Sequence, residues 1–149
     1  MRAVVQRVKS ANVKINDIVI GQIGHGILLL LGIEEEDGNN DLEYMTDKVP
    51  NLRIFEDEFG KMNKSLIDVE GSILVISQFT LLGDARKGRR PSFIQAARPE
   101  KAIPLYEMFI KNMKGKNIKT EAGKFGEDML VELINDGPVT ILLDSKKIF

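Results

Sequence analysis

The run GILLLLGI, residues 26–33, contains no polar side chain. A half-buried strand alternates apolar with polar residues, and an amphipathic helix interrupts its apolar positions every two or three residues. An unbroken apolar run bounded by glycine therefore predicts a strand covered on both faces. A chain that holds such a strand must place a layer of structure on each side of it. SILVISQFTL, residues 72–81, is rich in β-branched and aromatic residues and supplies a second central strand.

The rest of the chain reads as material for those layers. RAVVQRV alternates, and ANVKI and DIVIGQI flank a polar turn at Asn16 and Asp17, the pattern of a hairpin. Leu42, Met45, Val49 and Leu52 recur at helical spacing after Asn40, and Pro50 is expected to kink or end that helix. After the turn EDEFGK and a short segment, MNKSLIDV, the run PEKAIPLYEMFIKNMKGK predicts a second helix. Its apolar face is read as Ala102, Leu105, Met108, Phe109 and Met113, and Pro104 suggests a start later than Pro99. IKTEAG, MLVELIN and VTILLD predict three further strands, with turns at residues 123–126 and at Gly137-Pro138. With no repeat and no linker, these elements predict one domain over residues 1–149. Its expected fold is mixed α/β, a strand-rich, barrel-like antiparallel or mixed sheet with two main helices.

Composition removes several chemistries. The chain has no cysteine and one histidine, so it holds neither a disulfide framework, nor a cysteine nucleophile, nor a cysteine/histidine zinc site. A Ser-His-Asp relay would need His25, which sits in the turn GHG and reads as a surface hairpin residue. No glycine-rich nucleotide-binding pattern is present, and the acidic run EEED, residues 34–37, lacks calcium-loop spacing. Lys61, in EFGKMNKS, reads as a hairpin lysine. No metal and no cofactor are expected. The longest apolar run, residues 27–31, is far short of the roughly 20 residues of a membrane helix, and MRAVVQRV does not resemble a secretory signal, so a cytoplasmic protein away from membranes is expected.

Formal net charge is -1, but the charge is unevenly spread. Residues 86–124 hold eleven Lys or Arg against three acidic residues, while the remainder holds ten against nineteen. A face that meets a polyanion would produce this asymmetry, and so would a solvated run of charge.

Two stretches carry candidate chemistry. In ISQFTLLGDARKGRRPSF, residues 76–93, a buried strand runs into a Gly- and Arg-rich loop, which sets hydroxyls, an amide and backbone N–H groups at the strand's exit. Donors fixed in direction can stabilise an oxyanion in acyl transfer; equally, Ser77 and Thr80 can be ordinary strand residues. In NDGPVT, residues 135–140, proline cannot donate to a ladder and an X-Pro bond readily becomes cis, so the pair is either a turn or a projecting backbone device. A noncatalytic RNA-binding module and a small-molecule esterase using Ser77 remain open readings of the same residues.

SQFTL followed by RKGRRPSF and then by NDGPVT resembles the D-aminoacyl-tRNA deacylase family, which carries an SQxTL and an NxGPxT motif in that order. MRAVVQRV, RIFEDEFGKMN and GKFGEDM are also similar to the family, so the resemblance spans the chain; Pro50 and the tail SKKIF depart from it. The resemblance implies a homodimeric hydrolase that cleaves the ester between a D-amino acid and the terminal adenosine of tRNA. It implies that Ser77, Gln78, Phe79 and Thr80 line the reacting carbonyl and that the Gly137-Pro138 peptide, in cis, enters the neighbouring subunit's pocket to reject L-amino acids. It further implies that Arg7 holds that peptide, that Phe125 and Met129 wall the adenosine site, and that the ribose 2′-hydroxyl of the substrate relays the proton.

Overall fold

A computed structural model describes residues 1–149. Its strands are β1 (Arg2–Ile15), β2 (Ile18–Ile23), β3 (Gly26–Gly32), β4 (Phe55–Glu56), β5 (Met62–Lys64), β6 (Ser72–Ser77), β7 (Lys119–Ala122) and β8 (Leu130–Asp144). Two helices, α1 (Asn39–Asn51) and α2 (Pro99–Gly115), and a 3-10 turn at Phe79–Leu82 complete it.

The apolar strand β3 is covered on both faces, and its alternating side chains enter two different cores. Ile27, Leu29 and Leu31 join Ile73 and Val75 of β6 beneath the helices, against Met45, Val49, Phe109 and Met113. Leu28 faces the other way, with Leu74 and Ile76 of β6 and Val8, Ala11, Val13 and Ile23 of β1 and β2. β3 lies antiparallel to β1 and parallel to β6, which is parallel to β7. The far half of β1 pairs with β2, and β2 packs against β6 and β7, so the mixed sheet curls almost shut around the smaller core. The strand-rich, barrel-like fold with two helices is the one the sequence predicts.

Five details differ from the sequence reading. RAVVQRV and ANVKI are one 14-residue strand, because the polar residues between them are absorbed by register shifts and not by a turn. MLVELIN and VTILLD are likewise one strand, β8, which pairs with β1 before and after Gly137-Pro138. The SILVISQFTL strand stops at Ser77, and Phe79–Leu82 curls into the 3-10 turn. α2 starts at Pro99, in the first helical position that suits proline, and it continues through Pro104. Its buried face is Ala102, Tyr106, Phe109 and Met113; Leu105 is only half-buried, and Met108 is exposed. Pro50 falls in the last turn of α1, which ends at Asn51.

The two positions on α2 separate cleanly in stability. Phe109→Ala empties a fully buried ring site and is expected to cost about 3–5 kcal/mol, whereas Met108→Ala should stay within about 0.5 kcal/mol of the parent. Urea unfolding monitored by circular dichroism reads both values, and equal losses at the two positions would refute this helix face.

Candidate active site

β6 runs parallel to β3 until Leu31 stands opposite Ser77, and the Gln78 N–H still donates to the Leu31 carbonyl at 2.9 Å. Beyond that point there is no partner strand. Leu82 is buried and draws the chain inward, so residues 79–82 coil tightly, with the Gly83 N–H donating to the Thr80 carbonyl at 3.0 Å. Phe79 and Thr80 are left exposed at the strand's exit. The Gln78 amide donates to the Thr80 hydroxyl, which fixes both side chains at the start of the turn. The backbone N–H groups of Phe79 and Thr80 open the turn, where a helix has no acceptor of its own to offer.

Ser77, Gln78 and Phe79 share a cavity of about 300 Å³ with Phe125 and Met129, two residues from a distant loop. Ile76, Gly126, Glu127, Asp128 and Val131 complete its lining. Glu127 and Asp128 were not singled out from the sequence, although GKFGEDM carries them. Tyr106 of α2 brings the two walls together. Its buried hydroxyl lies 2.8 Å from the Val75 carbonyl of β6 and 3.2 Å from the Gly123 carbonyl at the start of the loop. Burial holds this phenol above its ordinary range, so it remains a donor. Its ring centroid lies 6.1 Å from that of Phe125.

Thr80 is beside the cavity and not in its lining, and Arg7, Gly137 and Pro138 are elsewhere. On β8, Asn135 stands opposite Val8 and Thr140 opposite Gln6, so residues 136–139 form a bulge across from Arg7. Arg7 is buried, with 6% of its surface exposed, and its Nε donates to the Asp136 carbonyl at 2.8 Å while Nη1 donates to the Ile54 carbonyl at 2.6 Å. Asn135, absent from the sequence-based candidates although it opens NDGPVT, clamps the bulge. Its amide donates to the Arg7 and Val139 carbonyls at 3.1 and 3.0 Å, and its Oδ1 accepts the Val139 N–H at 3.1 Å. The Gly137-Pro138 peptide at the tip is cis, and both residues are exposed. A Cβ at position 137 would lie 2.2 Å from the Val139 nitrogen, so only glycine fits.

His25 stands beside this bulge and not beside Ser77. It is exposed, edge-on to Phe55 at 5.1 Å, and lines a second recess with Arg7, Lys9 and Asp136. Within the EEED run, Glu34 and Glu36 pair with Lys146, and Asp37 accepts the Glu34 N–H. Lys61 lies exposed in the β4–β5 hairpin, its N–H bonded to Asp57.

These bonds make two local predictions. Tyr106→Phe removes the hydroxyl that joins the Gly123 carbonyl to the Val75 carbonyl, which keeps only the Gly123 N–H at 3.0 Å, and is expected to lower stability by about 1–2 kcal/mol, with faster amide hydrogen exchange across residues 123–129. Asn135→Ala should raise the exchange rate of the Val139 amide at least about tenfold, as expected when a local opening becomes easier; an unchanged rate would show that the clamp does not hold the bulge.

A family profile described as D-Tyr-tRNA(Tyr) deacylase matches residues 4–144. A D-aminoacyl-tRNA deacylase of Clostridioides difficile is 59% identical over 149 residues, with 100% of both chains covered, and one of Thermosipho africanus is 54% identical with the same coverage. Among solved structures, one titled c-Myc DNA Unwinding Element Binding Protein superimposes with a TM-score of 0.91 at 45% identity, covering 97% of this chain and 98% of that one. A probable eukaryotic D-amino acid tRNA deacylase shares the fold at a TM-score of 0.84 and 17% identity, covering 95% and 97%.

Proposed function

The chain belongs to the D-Tyr-tRNA(Tyr) deacylase family, and from that premise we propose that it hydrolyses the ester of D-aminoacyl-tRNA, releasing the D-amino acid and the tRNA. The observation that carries the reading is a division of parts. The SQFT turn and the Phe125–Met129 loop share one cavity, while the Gly137-Pro138 tip projects from a different part of the same chain, held by Arg7 and Asn135. An exposed backbone tip that is braced from below and takes no part in lining its own chain's cavity suits a cavity in a second copy. The reading is therefore a homodimer in which each protomer lends its tip to its partner's site, working in the cytoplasm on aminoacyl-tRNA.

In that site Ser77, Gln78, Phe79 and Thr80 surround the reacting carbonyl, and the amides of Phe79 and Thr80 receive the oxyanion as water attacks. Phe125 and Met129 offer flat and polarisable surfaces to the terminal adenine. The ribose 2′-hydroxyl of the substrate moves the proton, a role for which the chain has no adjacent histidine. Selection is by exclusion. A backbone wedge has no rotamer with which to yield, so an L side chain directed at it collides while a D side chain points away. Glycine presents nothing to collide, so glycyl-tRNA enters as a substrate.

Release of labelled amino acid tests each part. D-tyrosyl-tRNA and glycyl-tRNA are expected to be cleaved and L-tyrosyl-tRNA spared; protection of glycyl-tRNA would refute steric exclusion. Thr80→Ala should keep activity within about tenfold, while a 2′-deoxy terminal adenosine should lower it by at least about a hundredfold, the scale of a lost proton relay. The reverse pair of results would make Thr80 the nucleophile.

A further inference from the structure

Residues 85–91, ARKGRRP, form the tip of a small hairpin whose base is closed by two backbone bonds between Asp84 and Ser92, at 2.8 and 2.9 Å. Gly88 takes the left-handed conformation, with φ +73°, that lets so short a loop reverse. Of the four cations on the tip, Arg86 is neutralised by Asp84 at 2.6 Å. Lys87, Arg89 and Arg90 are exposed and make no ion pair, and Lys87 and Arg90 border a concavity of about 530 Å³ with Ser92 and the paired Asp84 and Arg86. Three uncompensated like charges within four residues repel one another, an arrangement that favours a polyanion over solvent alone.

The hairpin is also fastened to the cavity. Phe93, just past its base, meets Phe79 in an edge-to-face contact with ring centroids 5.2 Å apart. It lies over Gly83, where a Cβ would come within 3.0 Å of its ring, so the base of the hairpin and the turn that lines the cavity form one packed unit. Lys124, from the same basic segment, is by contrast satisfied by Glu127.

We propose that Lys87, Arg89 and Arg90 form a phosphate clamp for the acceptor arm of tRNA, which sets the distance from the phosphodiester backbone to the cavity where the terminal ester lies. This inference rests on the deacylase reading for the identity of the RNA and on the hairpin for the contact. Seven residues out and back reach on the order of 10 Å, so the phosphates contacted are those closest to the 3′ end.

The test is binding of fluorescently labelled, uncharged tRNA by anisotropy at several salt concentrations. The triple variant Lys87→Gln, Arg89→Gln, Arg90→Gln should weaken binding at least about tenfold in 100 mM salt. It should also reduce the slope of log affinity against log salt by about 2 to 3, close to one phosphate per cation. The double variant Arg89→Lys, Arg90→Lys retains the charge and should keep the slope. Neutralising Lys111, Lys114 and Lys116, at the far end of α2, should leave affinity and slope unaltered. In steady-state deacylation the triple variant should raise KM and spare kcat, which also reports that its cavity is folded. An unchanged slope in the triple variant, or an equal loss from the α2 control, overturns the clamp. Failure of the parent protein to hydrolyse D-aminoacyl-tRNA while the triple variant still loses tRNA binding would overturn the deacylase reading alone.

Discussion

Strand β1 is bonded to neighbours along both edges, and the rest of the molecule is positioned from it. One edge carries β8 from end to end; the other carries β3 along its first half and β2 along its second. A strand that changes partners midway has to bend, and the register shifts between Gln6 and Ser10 and after Val13 supply the bend. The bend carries β2 round to β6 and β7 and gives the sheet two interiors. One lies under α1 and α2, and the other is enclosed by the sheet's own curvature.

Both halves of the candidate site are consequences of where ladders fail. At the end of β6 the parallel pairing with β3 runs out at Ser77, and the chain curls, exposing Phe79 and Thr80 beside the cavity. On β8 the pairing with β1 skips residues 136–139, and the excess is pushed outward to form the Gly137-Pro138 tip. Neither region is loosely held. The first is tied through Tyr106 to Val75 and Gly123, and the second through Arg7 and Asn135. Buried side-chain donors aimed at backbone carbonyls are costly to disturb, so main-chain atoms keep fixed directions at two places where function on the proposed reading needs them.

The separation of these halves gives the family resemblance a physical meaning. Ser77, Gln78, Phe79, Phe125 and Met129 meet around one cavity although up to fifty-two positions separate them in the chain. Arg7 and Gly137-Pro138 meet at another place. Within one chain the Gly137-Pro138 tip does not line that cavity. On the proposed reading a second copy supplies the missing part, which places chiral selection in the quaternary structure.

Much of this was legible in the amino-acid sequence. GILLLLGI announced a strand buried on both faces because no periodicity leaves an apolar run of that length partly wet, and the helical spacing of Leu42, Met45 and Val49 announced α1. The motifs SQFTL and NDGPVT pointed to the segments that carry the candidate site. What the sequence misplaced were continuity and facing. The polar interruption in β1 looked like a break between strands and the one in β8 like a turn, because local pattern does not distinguish a bulge, held by a partner strand, from an end or a reversal. Tyr106 was passed over for Met108 because hydrophobicity alone does not reveal that a phenol's hydroxyl has two carbonyls waiting for it. Local chemistry thus determined which segments are strands, helices and candidate motifs. Only the tertiary structure decided which of them meet, because meeting depends on hydrogen bonds and packing between residues the chain holds far apart.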